Sequence, residues 1–201
     1  MKVLFAPFAL LFLTACAGVQ ADKMVRHKAE VESYTAALRS PVAFDAASIC
    51  TASAKLGDWY VTSISKETPV MRTPSGMVAA AACVGIPQGA TELRLNSNGV
   101  GNGLAFYGTT IAFASTQFLS ADFVLIEDFP KPESFAGEGV LSGFAVTSDY
   151  DLSKRLSSAR YMLIYVNPDS LEGGVKVMDG LQQIWVPYAP YGEFRMRFLR
   201  K

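Results

Sequence analysis

The chain has 201 residues with 18 Lys plus Arg against 18 Asp plus Glu, half of its residues hydrophobic and under a fifth charged. That balance excludes a basic nucleic-acid binder and a disordered tether, and the length suits one domain with a proper core. A single histidine excludes most histidine-dependent chemistry.

The first segment is a leader. Lys2 precedes an almost unbroken apolar run, Val3 to Leu13, interrupted only by Pro7. The run is too short to cross a bilayer and reads as an export signal. It ends in Leu13-Thr14-Ala15-Cys16, an order that resembles the lipobox of bacterial lipoproteins, in which the cysteine is acylated and the leader is cleaved before it. The alternative is a plain secretory signal with an incidental cysteine. The lipobox implies residues 1–15 as signal peptide, a membrane anchor on Cys16, and a linker over 16–41 ahead of a domain at 42–201. Each buried methylene adds about 0.8 kcal/mol, so two or three acyl chains anchor almost permanently. Ala17 stands where an aspartate would signal retention at the inner membrane, so the resemblance implies a periplasm-facing position at the outer membrane of a Gram-negative cell.

Next comes "ADKMVRHKAEVESYTAALRSP", rich in helix formers and closed by Pro41. Met24, Val31, Tyr34 and Leu38 recur near a helical period, predicting a short amphipathic helix whose narrow stripe either packs on the domain or docks a partner. His27 lies on this helix and reads as a solvated residue.

Three cysteines are an odd number. With Cys16 assigned to lipid, Cys50 and Cys83 remain as a possible disulfide in an oxidising compartment, the alternative being two buried free thiols. A bridge would close a loop of about 33 residues, worth about 3 to 4 kcal/mol of chain entropy.

From Ser48 onward short apolar runs alternate with turn residues. A Trp59-Tyr60-Val61 strand is expected to divide its two aromatics between opposite faces. Further strands are expected at Met77 to Val84, Thr91 to Ser97, Leu104 to Ala114, Phe123 to Phe129, Gly139 to Thr147, Arg160 to Val166 and Phe194 to Leu199. Pro87-Gln88-Gly89, Asn96-Ser97-Asn98-Gly99, Ser120-Ala121-Asp122, Pro130-Lys131-Pro132 and Asn167-Pro168-Asp169 are the turn signals between them. One short helix is expected over Asp151 to Ser157, with Asp149 or Asp151 as its N-cap. In the last strand Phe194, Met196 and Phe198 should face the core and Arg195 and Arg197 the water. The pattern predicts a mainly β fold: an antiparallel β-sandwich with a short N-terminal amphipathic helix and one or two short helices.

The order of a Ser-x-Cys segment, "VGIPQGATELRLNS", "FASTQFLSADFVLIEDF", "RYMLIYVNP" and "VPYAPYGEFRMRF" resembles the maltose operon periplasmic protein (MalM-like) family from Ile49 onward. The resemblance rests on loop order and pattern rather than an invariant motif. It implies an exported β-rich protein associated with carbohydrate uptake of the maltodextrin type, with no catalytic residue to carry over. The lipobox is a departure from it.

Chemistry finds little purchase. His27 is remote from the β region, so neither a Ser-His-Asp set nor a histidine zinc site can be built. Glu127 and Asp128 are adjacent on a strand and point to opposite faces, which prevents them from flanking one glycosidic bond. Asp149-x-Asp151-x-Ser153 begins like a calcium loop, but Lys154 replaces the turn glycine and no closing glutamate follows. Gly99, Gly101 and Gly103 match neither dinucleotide nor phosphate loops, so no cofactor is expected. One binding constellation stands out: Trp185, Tyr188 and Tyr191 recur every third residue around Pro187 and Pro190. In a polyproline-II segment they would line one face, roughly 9 Å apart. Such a ladder would stack on sugar rings or grip a partner loop; alternatively its rings seal the sandwich. The expectation is a non-catalytic protein with an oligosaccharide ligand or, alternatively, a structural subunit of an envelope assembly, with no nucleic acid and no metal.

Overall fold

The structure, a computed structural model, describes residues 24–100, 110–128, 130, 134–140, 143–179 and 182–201. Helix α1 spans 24–37 and α2 is one turn, Ala46–Ile49. Then follow β1 (Trp59–Ile64), β2 (Val70–Arg72), β3 (Val78–Gly85), β4 (Glu92–Val100), β5 (Thr110–Ile111), β6 (Ala114–Leu119) and β7 (Leu125–Asp128). The chain continues with β8 (Ser134–Val140), β9 (Gly143–Asp151), β10 (Tyr161–Val166), a 3-10 turn at Pro168–Ser170, β11 (Gly174–Asp179), β12 (Gln182–Pro187) and β13 (Gly192–Leu199).

These strands form two sheets. The larger runs β1-β13-β4-β9-β8-β11-β12, with β5 added beside β4; the smaller runs β2-β3-β10-β6-β7. Pairing is antiparallel except between β8 and β11, which meet in parallel at Glu138 and Met178. The fold is mainly β and sandwich-like, as the short alternating strands predict.

Alternation explains how the sheets meet. In β13, Phe194, Met196 and Phe198 are fully buried while Arg195 stays exposed and Arg197 half-buried, the division expected from period two. Leu93 and Leu95 of β4, Ile64 of β1 and Tyr150 of β9 join them, facing Ala80 and Val84 of β3, Phe118 of β6 and Met162, Ile164 and Val166 of β10. Each fully buried Phe, Leu, Ile or Met side chain contributes about 1.5–3 kcal/mol, so this layer is the main stabilising element.

The small sheet is covered on its other face too. Its strands read as continuous apolar runs, "VAAAACVG" and "YMLIYV", the pattern of a strand buried on both sides. Cys83, Leu119 and Leu163 lie under Phe44, Ile49, Cys50 and Phe123. Cys50 and Cys83 form a disulfide that ties this cover to β3. Phe123, at φ 58°, holds a left-handed backbone that aromatic residues seldom adopt. Its ring stacks on Tyr161 at 4.5 Å, which offsets that cost.

Helix α1 closes one opening of the sandwich. The β3–β10 ladder ends at Ala81 and Tyr165. One residue further, the Tyr34 hydroxyl accepts from the Ala80 N–H and donates to the Val166 carbonyl, both at 3.1 Å. It thus satisfies two backbone groups that water cannot reach. Burial pushes the Tyr34 hydroxyl up to about 12. Val31 and Leu38 pack beside it, whereas Met24, from the same predicted stripe, stays 71% exposed.

Several expectations are corrected. Gly139 to Thr147 is not one strand but parts of β8 and β9, with residues 141–142 outside the described residues. Of Leu104 to Ala114, residues 104–109 lie outside the described residues, as do Gly101 and Gly103; the remainder is β5 and the start of β6. The helix expected over Asp151 to Ser157 does not form. Asp151 ends β9 opposite Glu92, and its carboxylate accepts from the Ser153 backbone N–H at 2.8 Å and hydroxyl at 2.5 Å. The carboxylate makes the contact of a helix cap, but the backbone goes on as successive turns, the Ser157 N–H bonding to the Lys154 carbonyl and the Ala159 N–H to the Leu156 carbonyl. Strands β2, β11 and β12 go beyond the expected set, and β12 takes in Trp185 as a strand residue.

Candidate functional site

The large sheet has one face in the core and one in water. Register defines the outer face across its strands. Trp59 of β1 stands beside Arg197 of β13, then Arg94 of β4 and Asp149 of β9. The next row is Val61, Arg195, Asn96 and Thr147; the third is Ser63, Glu193, Asn98 and Ala145. Continuing across β8 through Glu138 and Met178, the same face reaches Lys176 and Trp185. Val175 and Val186, of opposite parity, are buried with Ile111 and Val146 on the inner side, which fixes Trp185 as outward.

Both of the chain's tryptophans therefore share one solvent-facing surface, Trp59 at 46% and Trp185 at 57% exposure. Tryptophan is ordinarily among the more buried residue types. Six strand intervals separate β1 from β12, roughly 29 Å at about 4.8 Å each. Trp185 lies over Gly174, where a Cβ would come within 2.7 Å of its Cε2; the absent side chain makes room for the indole. Trp59 has the Arg197 guanidinium 6.0 Å from its ring centroid, and Arg197 Nε donates to the Gly57 carbonyl at 2.6 Å.

The polar groups between them are held in fixed directions. Arg94 meets Asp149 through two parallel bonds, Nε to Oδ1 at 2.9 Å and Nη2 to Oδ2 at 3.3 Å. Arg195 Nε and Asn98 Nδ2 both donate to Glu193 Oε1, at 2.9 and 3.2 Å. Asn96 Oδ1 is shielded from water without a protein partner. The face thus presents planar donor and acceptor groups between two aromatic platforms.

The three-residue aromatic ladder is not assembled. Trp185 faces outward on β12, but Tyr188 turns inward to stack on Phe113 at 5.3 Å. Tyr191 packs against the main core, its ring edge-on to Tyr34 at 5.6 Å. The β backbone of 182–187 explains the split, since alternate residues change face and a period of three cannot keep one. Tyr188 and Tyr191 take the alternative role read from the sequence, sealing the sandwich, and Trp185 of the three stays exposed. The other outward indole, Trp59, was separable from Tyr60 by strand parity, and Tyr60 does turn to the core.

The other candidates have structural partners. Cys16 lies outside the described residues. Glu127 pairs with Arg155, and Asp128, on the opposite face, accepts from the Tyr165 hydroxyl at 3.1 Å. Burial, with the Asp128 carboxylate adding to it, raises the Tyr165 pKa. The Ser153 hydroxyl, the Ser153 backbone N–H and Lys154 hold the Asp151 carboxyl at about 2. Among the described residues no cluster of three His, Cys, Asp or Glu side chains is arranged to hold a metal ion. Concavities of about 270 and 250 Å³ flank the 151–160 turns, and a groove of about 620 Å³ runs between α1 and the 168–172 turn. No family model, curated protein or solved structure matches the chain.

Proposed function

We propose that the protein is a non-catalytic outer-membrane lipoprotein, anchored through Cys16 and facing the periplasm, that binds oligosaccharide on the outer face of its large sheet. Its role is accessory to carbohydrate uptake. The uptake context rests on the MalM-like resemblance; the binding surface rests on one observation, that both tryptophans are exposed on the same polar sheet face. Aromatic rings pack against the apolar faces of sugar rings, and directed Asp, Asn and Arg groups suit their hydroxyls. An oxidising compartment agrees with the Cys50–Cys83 disulfide.

The test uses Trp59 and Trp185 as native reporters. Titration with maltodextrin-type oligosaccharides is expected to shift intrinsic fluorescence saturably, with matching heat in calorimetry. Unchanged spectra across a glycan panel would reject the reading.

A structural role in an envelope assembly is favoured by a different feature. Edge strand β1, "WYVTSI", has no charge and no proline, whereas β2 carries Arg72, β7 ends in Glu127-Asp128 and β12 ends in Pro187. Such an unguarded edge is open to pairing with another strand. Cross-linking through β1 to envelope proteins, without any glycan response, would select this alternative.

A further inference from the structure

We propose that the exposed beginning of α1 is a second membrane contact, seating the domain on the lipid surface beside its acyl anchor. The inference rests on the reading of Cys16 as acylated and goes beyond it, because an acyl chain alone leaves the attached domain free to tumble.

The first residues of the described helix break the pattern of the rest. Val31, Tyr34 and Leu38 bury their apolar side chains on the domain, but Met24 and Val25 are 71% and 68% exposed, the two most exposed large hydrophobic side chains among the described residues. Two adjacent apolar residues held clear of the core are costly in water unless something apolar covers them. Arg26 and Lys28 are exposed beside them, Lys28 also reaching Glu32 at 3.9 Å. Apolar side chains flanked by basic ones suit the boundary between headgroups and acyl chains.

The covalent tether names the occupant. Met24 stands eight residue steps after Cys16, so their Cα atoms can be at most about 29 Å apart. Crossing a headgroup layer of roughly 6 Å shortens that reach further. An acylated chain thus keeps Met24 within about 29 Å of the anchor, which makes the contact with the bilayer an intramolecular one at high effective concentration.

Depth-dependent quenching tests this on the full acylated chain in phosphatidylethanolamine–phosphatidylglycerol vesicles. In a background with Trp59→Phe and Trp185→Phe, Met24→Trp is expected to emit at shorter wavelength and to lose about half its intensity to lipids brominated near the headgroup. Ala37→Trp, exposed at the far end of α1, is expected to be unaffected. Adding Arg26→Glu and Lys28→Glu should reduce the quenching, and omitting the anionic lipid should do the same. Mass spectrometry of the same sample separates the two ways of failing. Acylated Met24→Trp protein whose indole is not quenched overturns the contact and leaves the anchor standing; a mature chain without acyl groups overturns both.

Discussion

The two sheets solve the same burial problem in opposite ways. The small sheet is closed on both faces: one side meets the large sheet through Phe118, Met162 and Ile164, and the other lies under Phe44, Ile49 and the disulfide. The large sheet spends only one face on the core and leaves the other to Trp59, Trp185 and a lattice of Arg, Asn, Asp and Glu side chains. A strand closed on both sides can only stabilise; a strand with one wet face can also recognise. Under the proposed function, stability and recognition fall on different surfaces, and substitutions should separate them.

The largest effect belongs to the shared core. Phe118→Ala removes a fully buried ring between the sheets and is expected to cost about 3–5 kcal/mol in denaturant unfolding. A loss below about 1 kcal/mol would mean that the sheets are not packed as described. Next comes the cover of the small sheet. Replacing both Cys50 and Cys83 by Ser is expected to lower stability by about 3–4 kcal/mol, because the unfolded chain regains the freedom of a long loop. Dithiothreitol should destabilise the native chain equally and the double variant not at all.

Alkali probes the end of the sandwich closed by α1. The Tyr34 hydroxyl, raised by burial to about 12, stays protonated in the folded chain while the unfolded chain ionises near pH 10. The folded state then binds more protons, so stability is intact below pH 10 and falls between about pH 10 and 12, by about 2–3 kcal/mol. Tyr150 and Tyr165 are raised by burial as well and add to the same fall. Tyr34→Phe is expected to cost about 1–3 kcal/mol at neutral pH, since Ala80 N–H and Val166 C=O lose their partner. It should also make the alkaline fall shallower. An unaltered alkaline limb in Tyr34→Phe would assign the effect to the other tyrosines that burial raises, Tyr150, Tyr165, Tyr188 and Tyr191.

The smallest stability effect is expected on the wet face, where it sharpens the comparison most. Arg94→Ala should cost no more than about 1 kcal/mol, as partly exposed ion pairs do. Trp59→Ala and Trp185→Ala should also leave unfolding within about 1 kcal/mol of the native chain. Under the proposed function these same changes are expected to abolish oligosaccharide-induced heat. A Trp59→Ala chain that unfolds several kcal/mol more easily would show that this face is structural after all.

Local pattern made much of this legible. The alternation in "GEFRMRFL" separates core from wet residues without any knowledge of neighbours, and that strand forms as read; "ELRLNSN" forms its strand too, but β4 runs on to Val100 through Asn96-Ser97-Asn98-Gly99, expected as a turn, because those residues pair with β13, β9 and β5. The apolar runs at β3 and β10 announced strands, although their double burial needed the cover segment to be seen. Errors fell where short-range signals competed with distant ones. "DYDLSKRLSSAR" has helix-compatible residues and a capping aspartate, yet Asp149 to Asp151 are drawn into β9 opposite β4, and the chain after them runs in turns closed by bonds such as that from the Ser157 N–H to the Lys154 carbonyl. "WVPYAPYG" looked like a polyproline ladder, yet pairing with β11 draws 182–187 into a sheet and sends Trp185 and Tyr188 to opposite sides.

What the chain's letters determined alone is parity and composition: which side chains of a strand share a face, and that an odd cysteine count with Cys16 set aside leaves one candidate pair. Those are properties of adjacent residues and of counting. Only the tertiary structure decided that β1 and β12 lie at the two ends of one sheet, so that tryptophans 126 positions apart face the same water. It likewise decided that Cys50 reaches Cys83 and that a tyrosine hydroxyl finishes a strand ladder. Strand order is set by which apolar faces can be buried together across the whole chain, and no short window of sequence contains that information.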